Sequence, residues 1–145
     1  MDELIQRNIQ SGAEIETVGP TPVDAIYRAQ TMLGVSFPPS YTDFLARYGA
    51  IEVDGRSFAG LPSGEVGADG DVVSFTRHAR QKFHLPDQYV ALNDQDGDAF
   101  LCIDTKIKGA AGESPIVLVS PVDGHQLGRP AADSFAEYLA KYLAG

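Results

Sequence analysis

The segment between residues 33 and 61 constrains the fold more than any other part of the chain, because it specifies a helix and then a hairpin. Gly34 ends a preceding helix, and Pro38 with Pro39 imposes an extended approach before supplying the fixed φ that suits a first helical turn. Large apolar side chains then follow at positions i, i+3, i+4 and i+7: Tyr41, Phe44, Leu45 and Tyr48. This spacing predicts an amphipathic helix that ends at Gly49.

A β-hairpin is predicted directly after this helix. Ile51 and Val53 alternate with a polar residue, and Asp54 with Gly55 tolerates the positive φ angles of a tight two-residue turn. Phe58 resumes the apolar pattern beyond the turn. The chain therefore passes from helix to sheet without a linker.

The order of residues in this segment resembles the signature of the SUKH superfamily, which includes fungal cell-wall-assembly regulators and many bacterial immunity proteins. The usual order in that family is Leu-Gly, Leu-Pro, Tyr, Phe-Leu and Asn-Gly. The matching residues here are Leu33-Gly34, Phe37-Pro38, Tyr41, Phe44-Leu45 and Tyr48-Gly49. Phe37 and Tyr48 depart from the usual Leu and Asn, and Gln30 stands where a Glu is often found.

Two later places extend this resemblance over residues 18–143. Gly97-Asp98 before Phe100 is similar to a turn of the family, and Ser134-Phe135 is similar to the start of its closing helix. The resemblance implies an α+β fold and a non-enzymatic immunity protein that binds and neutralises a cognate toxin, often a nuclease. The fungal branch implies an alternative function, that of a regulatory scaffold.

The rest of the pattern agrees with an α+β class and with a single domain over 1–145. Helices are predicted over 2–10, 21–33, 71–83 and 134–143, and strands over 89–92, 99–103 and 115–119. The last of these is expected to be central, with a short edge strand over 125–129 and a connector over 11–20. We expect a mixed or mostly antiparallel sheet of about five or six strands, with helices packed on one face.

The helix over 21–33 carries two more specific expectations. Thr21 is expected to cap its free amides, with Pro22 at the first helical position. Its inward side is expected to consist of residues at helical spacing: Val23, Ile26, Tyr27, Gln30 and Leu33.

Charge and cysteine content narrow the function classes. The 20 acidic and 11 basic residues give a net charge of −9, which argues against a nucleic-acid ligand and favours either solubility alone or a basic protein partner. Cys102 lies in an apolar run, as expected for a buried free thiol in a reducing compartment. Because no basic leader and no apolar stretch of about 18 residues is present, we expect a cytoplasmic protein without a membrane partner.

The acidic excess is concentrated between residues 49 and 98, where nine acidic residues face four basic ones. We expect an exposed acidic loop over 62–71 and an acidic turn over 93–98. Their side chains are the candidate partner-binding residues, with a basic toxin domain as the expected partner: Glu65, Asp69, Asp71, Asp94, Asp96 and Asp98. The alternative is that these charges only maintain solubility and protect sheet edges.

No catalytic residues and no cofactor are predicted. The histidines at 78, 84 and 125 lack metal-site spacing and are expected at the surface. Asp94, Asp96 and Asp98 alternate as ligands of a hard cation could, so a metal-binding domain is a weaker alternative. In an EF-hand register Leu92 and Ile103 would occupy ligand positions, which favours a simple Asp-Gly turn.

Overall fold

A computed structural model describes residues 2–10, 12, 14–62 and 65–144 of the chain. Five α-helices and six β-strands lie within these residues. The helices are α1 (Asp2–Gln10), α2 (Val23–Leu33), α3 (Pro39–Tyr48), α4 (Val72–Phe83) and α5 (Phe135–Ala144). The strands are β1 (Ile15–Thr17), β2 (Ile51–Val53), β3 (Arg56–Phe58), β4 (Tyr89–Asp94), β5 (Phe100–Asp104) and β6 (Ile116–Val119).

The strands form two antiparallel three-stranded sheets, ordered β1-β2-β3 and β4-β5-β6. The predicted α+β class and the antiparallel pairing are confirmed, and the total of six strands agrees with the expectation, but these strands form two sheets and not the one that was expected. The two sheets meet at a main-chain contact directly after β3, where the Ala59 N–H donates to the Leu92 carbonyl oxygen at 2.7 Å. This contact sets the spacing between β3 and β4.

The aromatic face of α3 is the centre of the core, as its spacing predicts. Tyr41 and Phe44 are fully buried, and both rings pack against Phe135 of α5 with centroids 5.1 and 4.9 Å away. The Tyr41 hydroxyl donates to the Ala59 carbonyl oxygen at 2.6 Å. The same residue therefore ties α3 to the point where the two sheets meet.

The predicted inward face of α2 is wrong at two positions. Val23 is 76% exposed and Tyr27 is 71% exposed, whereas the small residues Ala25 and Ala29 are buried. Two stripes of this helix have i, i+4 spacing, and the stripe with small side chains packs inward because it lets the neighbouring helices approach. The largest apolar side chains of α2 therefore do not mark its buried side.

The predicted Thr21 cap is also wrong. Pro22 occupies the position that a capping side chain needs, and the Thr21 hydroxyl donates instead to the Leu61 carbonyl oxygen at 3.2 Å. Thr21 thereby joins the entry of α2 to the exit of the β2–β3 hairpin. The bond is buried, so its role is tertiary and not local.

The second sheet and the amino-terminal connector differ in detail from expectation. The central strand of the second sheet is β5, not β6. The outer edge of β6 is covered by isolated bridges to Gln126 and Ala132, which explains why so apolar a strand lies at a sheet edge. Within the predicted connector the structure has β1, a three-residue strand too short to produce a clear alternation.

Two glycines allow a close crossing of main chains beside the hairpin. A Cβ atom on Gly60 would collide with the carbonyl oxygen of Gly49 and lie 2.9 Å from the Cα of Ala50. The Leu61 N–H donates to that Gly49 oxygen at 2.6 Å, and the Val72 N–H donates to the Gly60 oxygen at 2.8 Å. Gly60 thus lies where α3, the hairpin and the start of α4 meet.

Candidate functional site

A cavity of about 430 Å³ opens between β3 and β4, next to the contact of Ala59 with Leu92. One wall is formed by residues of the hairpin and the other by the end of β4 and the turn after it. Its lining consists of Gly55, Arg56, Ser57, Ala59, Gly70, Phe75, Leu92, Asn93, Asp94 and Asp96. We call it the interstrand cavity.

The hairpin wall has the geometry that its sequence predicts. Asp54 and Gly55 have φ values of 49° and 84°, which are the left-handed conformations of a tight mirror-image turn. The turn is held by Glu14, whose N–H donates to the Asp54 carboxylate at 2.9 Å and whose carbonyl oxygen accepts from the Asp54 N–H at 2.7 Å. The position of Ser57 at the cavity follows from this fixed register, which pairs it with Glu52.

The opposite wall carries two of the predicted acidic residues. Asp94 ends β4, and its carboxylate accepts the Gly97 N–H at 2.7 Å. Asp96 follows with a φ of 54° and is exposed at the cavity, while Asp98 is exposed in the same turn but does not line it. The structure therefore brings Asp94 and Asp96 together at the rim of one cavity.

Asn93 is a polar residue of this wall that sequence reasoning missed. It is only 8% exposed, and its Oδ1 accepts from the Gln95 Nε2 at 2.6 Å. Within the described part of the chain its buried Nδ2 has no hydrogen-bond acceptor. A buried amide donor without an acceptor costs about 1–3 kcal/mol, so a ligand oxygen that bonded to this atom would recover that cost.

A second cavity of about 300 Å³ adjoins the first and shares Ser57, Ala59 and Gly70 with it. It is lined by two more carboxylates that sequence reasoning missed, Glu16 of β1 and Glu52 of β2. These residues lie directly opposite each other in the strand register. Like charges at such positions repel, and the pair cannot be predicted from a sequence in which residues 11–20 have the pattern of a connector.

The acidic loop before α4 divides into exposed and buried members. Glu65 and Asp69 are exposed, and Asp69 precedes Gly70, which lines both cavities. Asp71 is only 1% exposed, so the expectation that it lies on an open acidic surface is wrong. Its carboxylate caps α4 by accepting the Ser74 N–H at 2.8 Å, and it also accepts the Gly67 N–H at 2.7 Å.

The described residues show no group of three His, Cys, Asp or Glu side chains that could hold a metal ion. The three aspartates of the 94–98 turn are therefore not gathered as ligands. The three histidines are exposed, as predicted. Cys102 is buried, as predicted, and burial followed by the nearby Asp104 charge raises the pKa of its thiol, which disfavours the nucleophilic thiolate.

No helix in the described ranges is both long and apolar enough to cross a membrane.

The family model described as SUKH_5, SMI1-KNR4 cell-wall, matches residues 1–144. No curated protein matches the chain.

Proposed function

Because this chain belongs to the SUKH superfamily and its SMI1-KNR4 family, we propose that it is an immunity protein that binds and neutralises a cognate bacterial toxin. Membership of the family supports an immunity or regulatory protein in general, acting through protein–protein interaction. The finer proposal is that the partner is a basic toxin domain, such as a nuclease. It includes a cytoplasmic location, a single domain over residues 1–145 and no catalytic activity.

The observation that carries the proposal is the position of carboxylates around the two adjoining cavities. Asp94 and Asp96 line the interstrand cavity, and Glu16 with Glu52 lines its neighbour. Holding Glu16 opposite Glu52 costs about 0.2–1 kcal/mol of folding stability. A basic surface that covers both carboxylates would relieve this repulsion, so part of the folding cost would return as binding energy.

Inhibition would follow from occlusion of the toxin. A nuclease cleft attracts phosphate groups with basic side chains, and carboxylates arranged along a groove can occupy the same positive field. Long-range attraction between an acidic and a basic protein raises the association rate, and it weakens as salt screens the charges. The acidic surface therefore supports fast association more directly than it supports slow dissociation.

The test is co-expression of the chain with the toxin domain encoded beside it, followed by measurement of the association rate. Glu52→Gln, Asp94→Asn and Asp96→Asn together are expected to slow association about tenfold or more at low salt, with less effect at high salt. Asp24→Asn is the matched control, because Asp24 is an exposed carboxylate that lines neither cavity. Equal rates for the triple variant and the control at low salt would refute the electrostatic mechanism.

The second candidate is a regulatory scaffold of the cell-wall-regulator type, which the cell-wall description of the matching family favours. Such a protein would bind a host signalling or metabolic protein and would protect against no toxin. A neighbouring toxin gene, together with protection on co-expression, distinguishes the immunity function. Capture of host proteins alone, with no protection, would favour the scaffold.

A further inference from the structure

The β3 wall of the interstrand cavity offers main-chain groups to a ligand. Residues that flank a two-residue turn exchange hydrogen bonds, and pairs then alternate along an antiparallel ladder. Val53 pairs with Arg56, so the next pair, Glu52 with Ser57, is a non-hydrogen-bonded one. The N–H and the carbonyl oxygen of Ser57 therefore point away from β2, toward the cavity.

The same alternation is confirmed at the end of the hairpin. Ala59 has the same parity as Ser57, and its N–H does point away from β2, to the Leu92 carbonyl oxygen at 2.7 Å. Beyond this contact β3 and β4 separate and the interstrand cavity begins. In the described ranges no strand pairs with this side of β3, so Ser57 presents an open strand edge to the cavity.

The β4 wall offers the complementary side-chain groups. Among the described residues no acceptor lies near the buried Nδ2 of Asn93, which lines the cavity, so this donor can bind a carbonyl or carboxylate oxygen. Asp94 and Asp96 are exposed at the rim of the interstrand cavity, and their carboxylates favour a cationic ligand. Because these carboxylates would repel an anionic ligand, the required oxygen is best supplied by a neutral carbonyl.

We propose that the interstrand cavity receives an extended basic segment of the protein partner, whose main chain pairs with Ser57 and Asn93 and whose Arg or Lys side chains contact Asp94 and Asp96. This inference rests on the proposed function, since it specifies how the partner is bound. A peptide main chain supplies both kinds of group that this wall can pair with. Its N–H can donate to the Ser57 carbonyl oxygen, and its carbonyl oxygens can accept from the Ser57 N–H and the Asn93 Nδ2. Alternate side chains of such a segment share one face, so basic residues at every second position would lie along the acidic rim.

The size of the cavity agrees with this occupant. A volume of about 430 Å³ falls within the range of about 300–1,000 Å³ that is usual for ligand clefts. Arg56 of the hairpin lies on the wall opposite Asp94, so an incoming basic side chain is directed to the aspartate side. The half-buried Phe75 ring lines the same cavity and provides an apolar surface for the stem of an Arg or Lys side chain.

The test uses three probes with the full chain: the peptide acetyl-Val-Arg-Val-Arg-Val-Arg-amide, the same peptide with N-methylated main-chain amides, and spermine. In amide NMR spectra the first peptide is expected to shift the Ser57 main-chain resonance and the Asn93 side-chain resonances. N-methylation is expected to weaken its binding about tenfold or more, because it removes main-chain donors. Spermine, which has charge but no peptide groups, is expected to leave both resonances unshifted.

Two variants separate the Asn93 donor from its neighbours. Asn93→Leu is expected to weaken peptide binding about tenfold while leaving the thermal midpoint of the free protein within a few degrees. The substitution removes a donor with no acceptor among the described residues, so in the free protein only the hydrogen bond from Gln95 is lost. Gln95→Ala removes the hydrogen bond to the Asn93 Oδ1 and keeps the Nδ2 group, so it is expected to bind the peptide normally. If Asn93→Leu does not fold, the comparison of the plain and N-methylated peptides with the unmodified chain still tests main-chain pairing.

Equal binding of the plain and N-methylated peptides, or no shift at Ser57 and Asn93, would overturn the extended-segment mode. An Asn93→Leu chain that neutralises the toxin with an unchanged Kd would overturn this mode and leave the immunity function standing. Specific peptide binding in a chain that protects against no toxin would support the cavity and refute the immunity function.

Discussion

Replacement of Asp71 by alanine is expected to reduce stability and leave partner association unchanged. The carboxylate is buried and accepts two main-chain N–H groups, one from the first turn of α4 and one from Gly67. Loss of a capping side chain costs about 1–2 kcal/mol, and a second hydrogen bond to a charged acceptor adds about 1–2 kcal/mol more. The Asp71→Ala chain is therefore expected to lose about 2–4 kcal/mol of its free energy of unfolding.

Urea denaturation and stopped-flow association measure the two effects separately. With an m value of about 2 kcal/mol/M, the urea midpoint of Asp71→Ala is expected to fall by about 1–2 M. Asp69→Ala is the matched control, since Asp69 is exposed two residues earlier; its midpoint is expected to stay unchanged while association with a basic partner becomes slower. A normal midpoint together with slow association for Asp71→Ala would refute the assignment of Asp71 as a cap.

Three other perturbations test the close approach at Gly60, the repulsion between Glu16 and Glu52, and the burial of the Cys102 and Tyr41 side chains. Gly60→Ala is expected to reduce the free energy of unfolding by at least about 1–3 kcal/mol in denaturation experiments, because its Cβ would collide with main-chain atoms. Gly109→Ala is the control with little expected effect, since the nearest atom to its Cβ outside the neighbouring residues lies 3.7 Å away. Equal denaturation midpoints for the two variants would contradict the close approach of main chains at Gly60. Glu52→Gln is expected to raise stability by about 0.2–1 kcal/mol at low salt by relieving the repulsion with Glu16, and a loss of stability would show that the pair is not repulsive. Burial raises the pKa of Cys102 and of Tyr41, each with a smaller contribution from a nearby aspartate, so both groups hold their protons more tightly when folded than when unfolded. The stability that they contribute is fully present below their ordinary pKa values, and it is expected to decline as the pH rises above about 9, in thermal melts from pH 7 to 11; a flat profile would contradict it.

The parts of the fold that the sequence predicts best are those encoded over short distances. The α3 face and the Asp54-Gly55 turn each depend on neighbouring residues alone, and both are found where expected. The prediction of the buried face of α2 failed because two stripes of the helix have the same spacing. Which stripe packs against α3 and α4 depends on tertiary structure and not on local sequence. β1 was missed because three residues acquire strand structure only by pairing with β2.

The candidate site was predictable in part for the same reason. Turn chemistry marks Asp94 and Asp96 as exposed carboxylates, and the structure adds that both line one cavity. Asn93 belongs to the same turn segment, but its lack of an acceptor depends on what surrounds it in three dimensions. Glu16 and Glu52 lie 36 positions apart, so only the pairing of β1 with β2 shows that they meet.

The two hydrogen bonds of Asp71 also bear on how this chain could diversify. They anchor the carboxyl end of the acidic loop to α4 through a side chain that no partner needs to touch. The exposed residues of that loop can therefore change from one lineage to another without displacing the helix. In a group of proteins whose partners differ, Asp71 would be kept for architecture while Glu65 and Asp69 are replaced as the partner changes, and a survey of related sequences would show these two rates of substitution side by side.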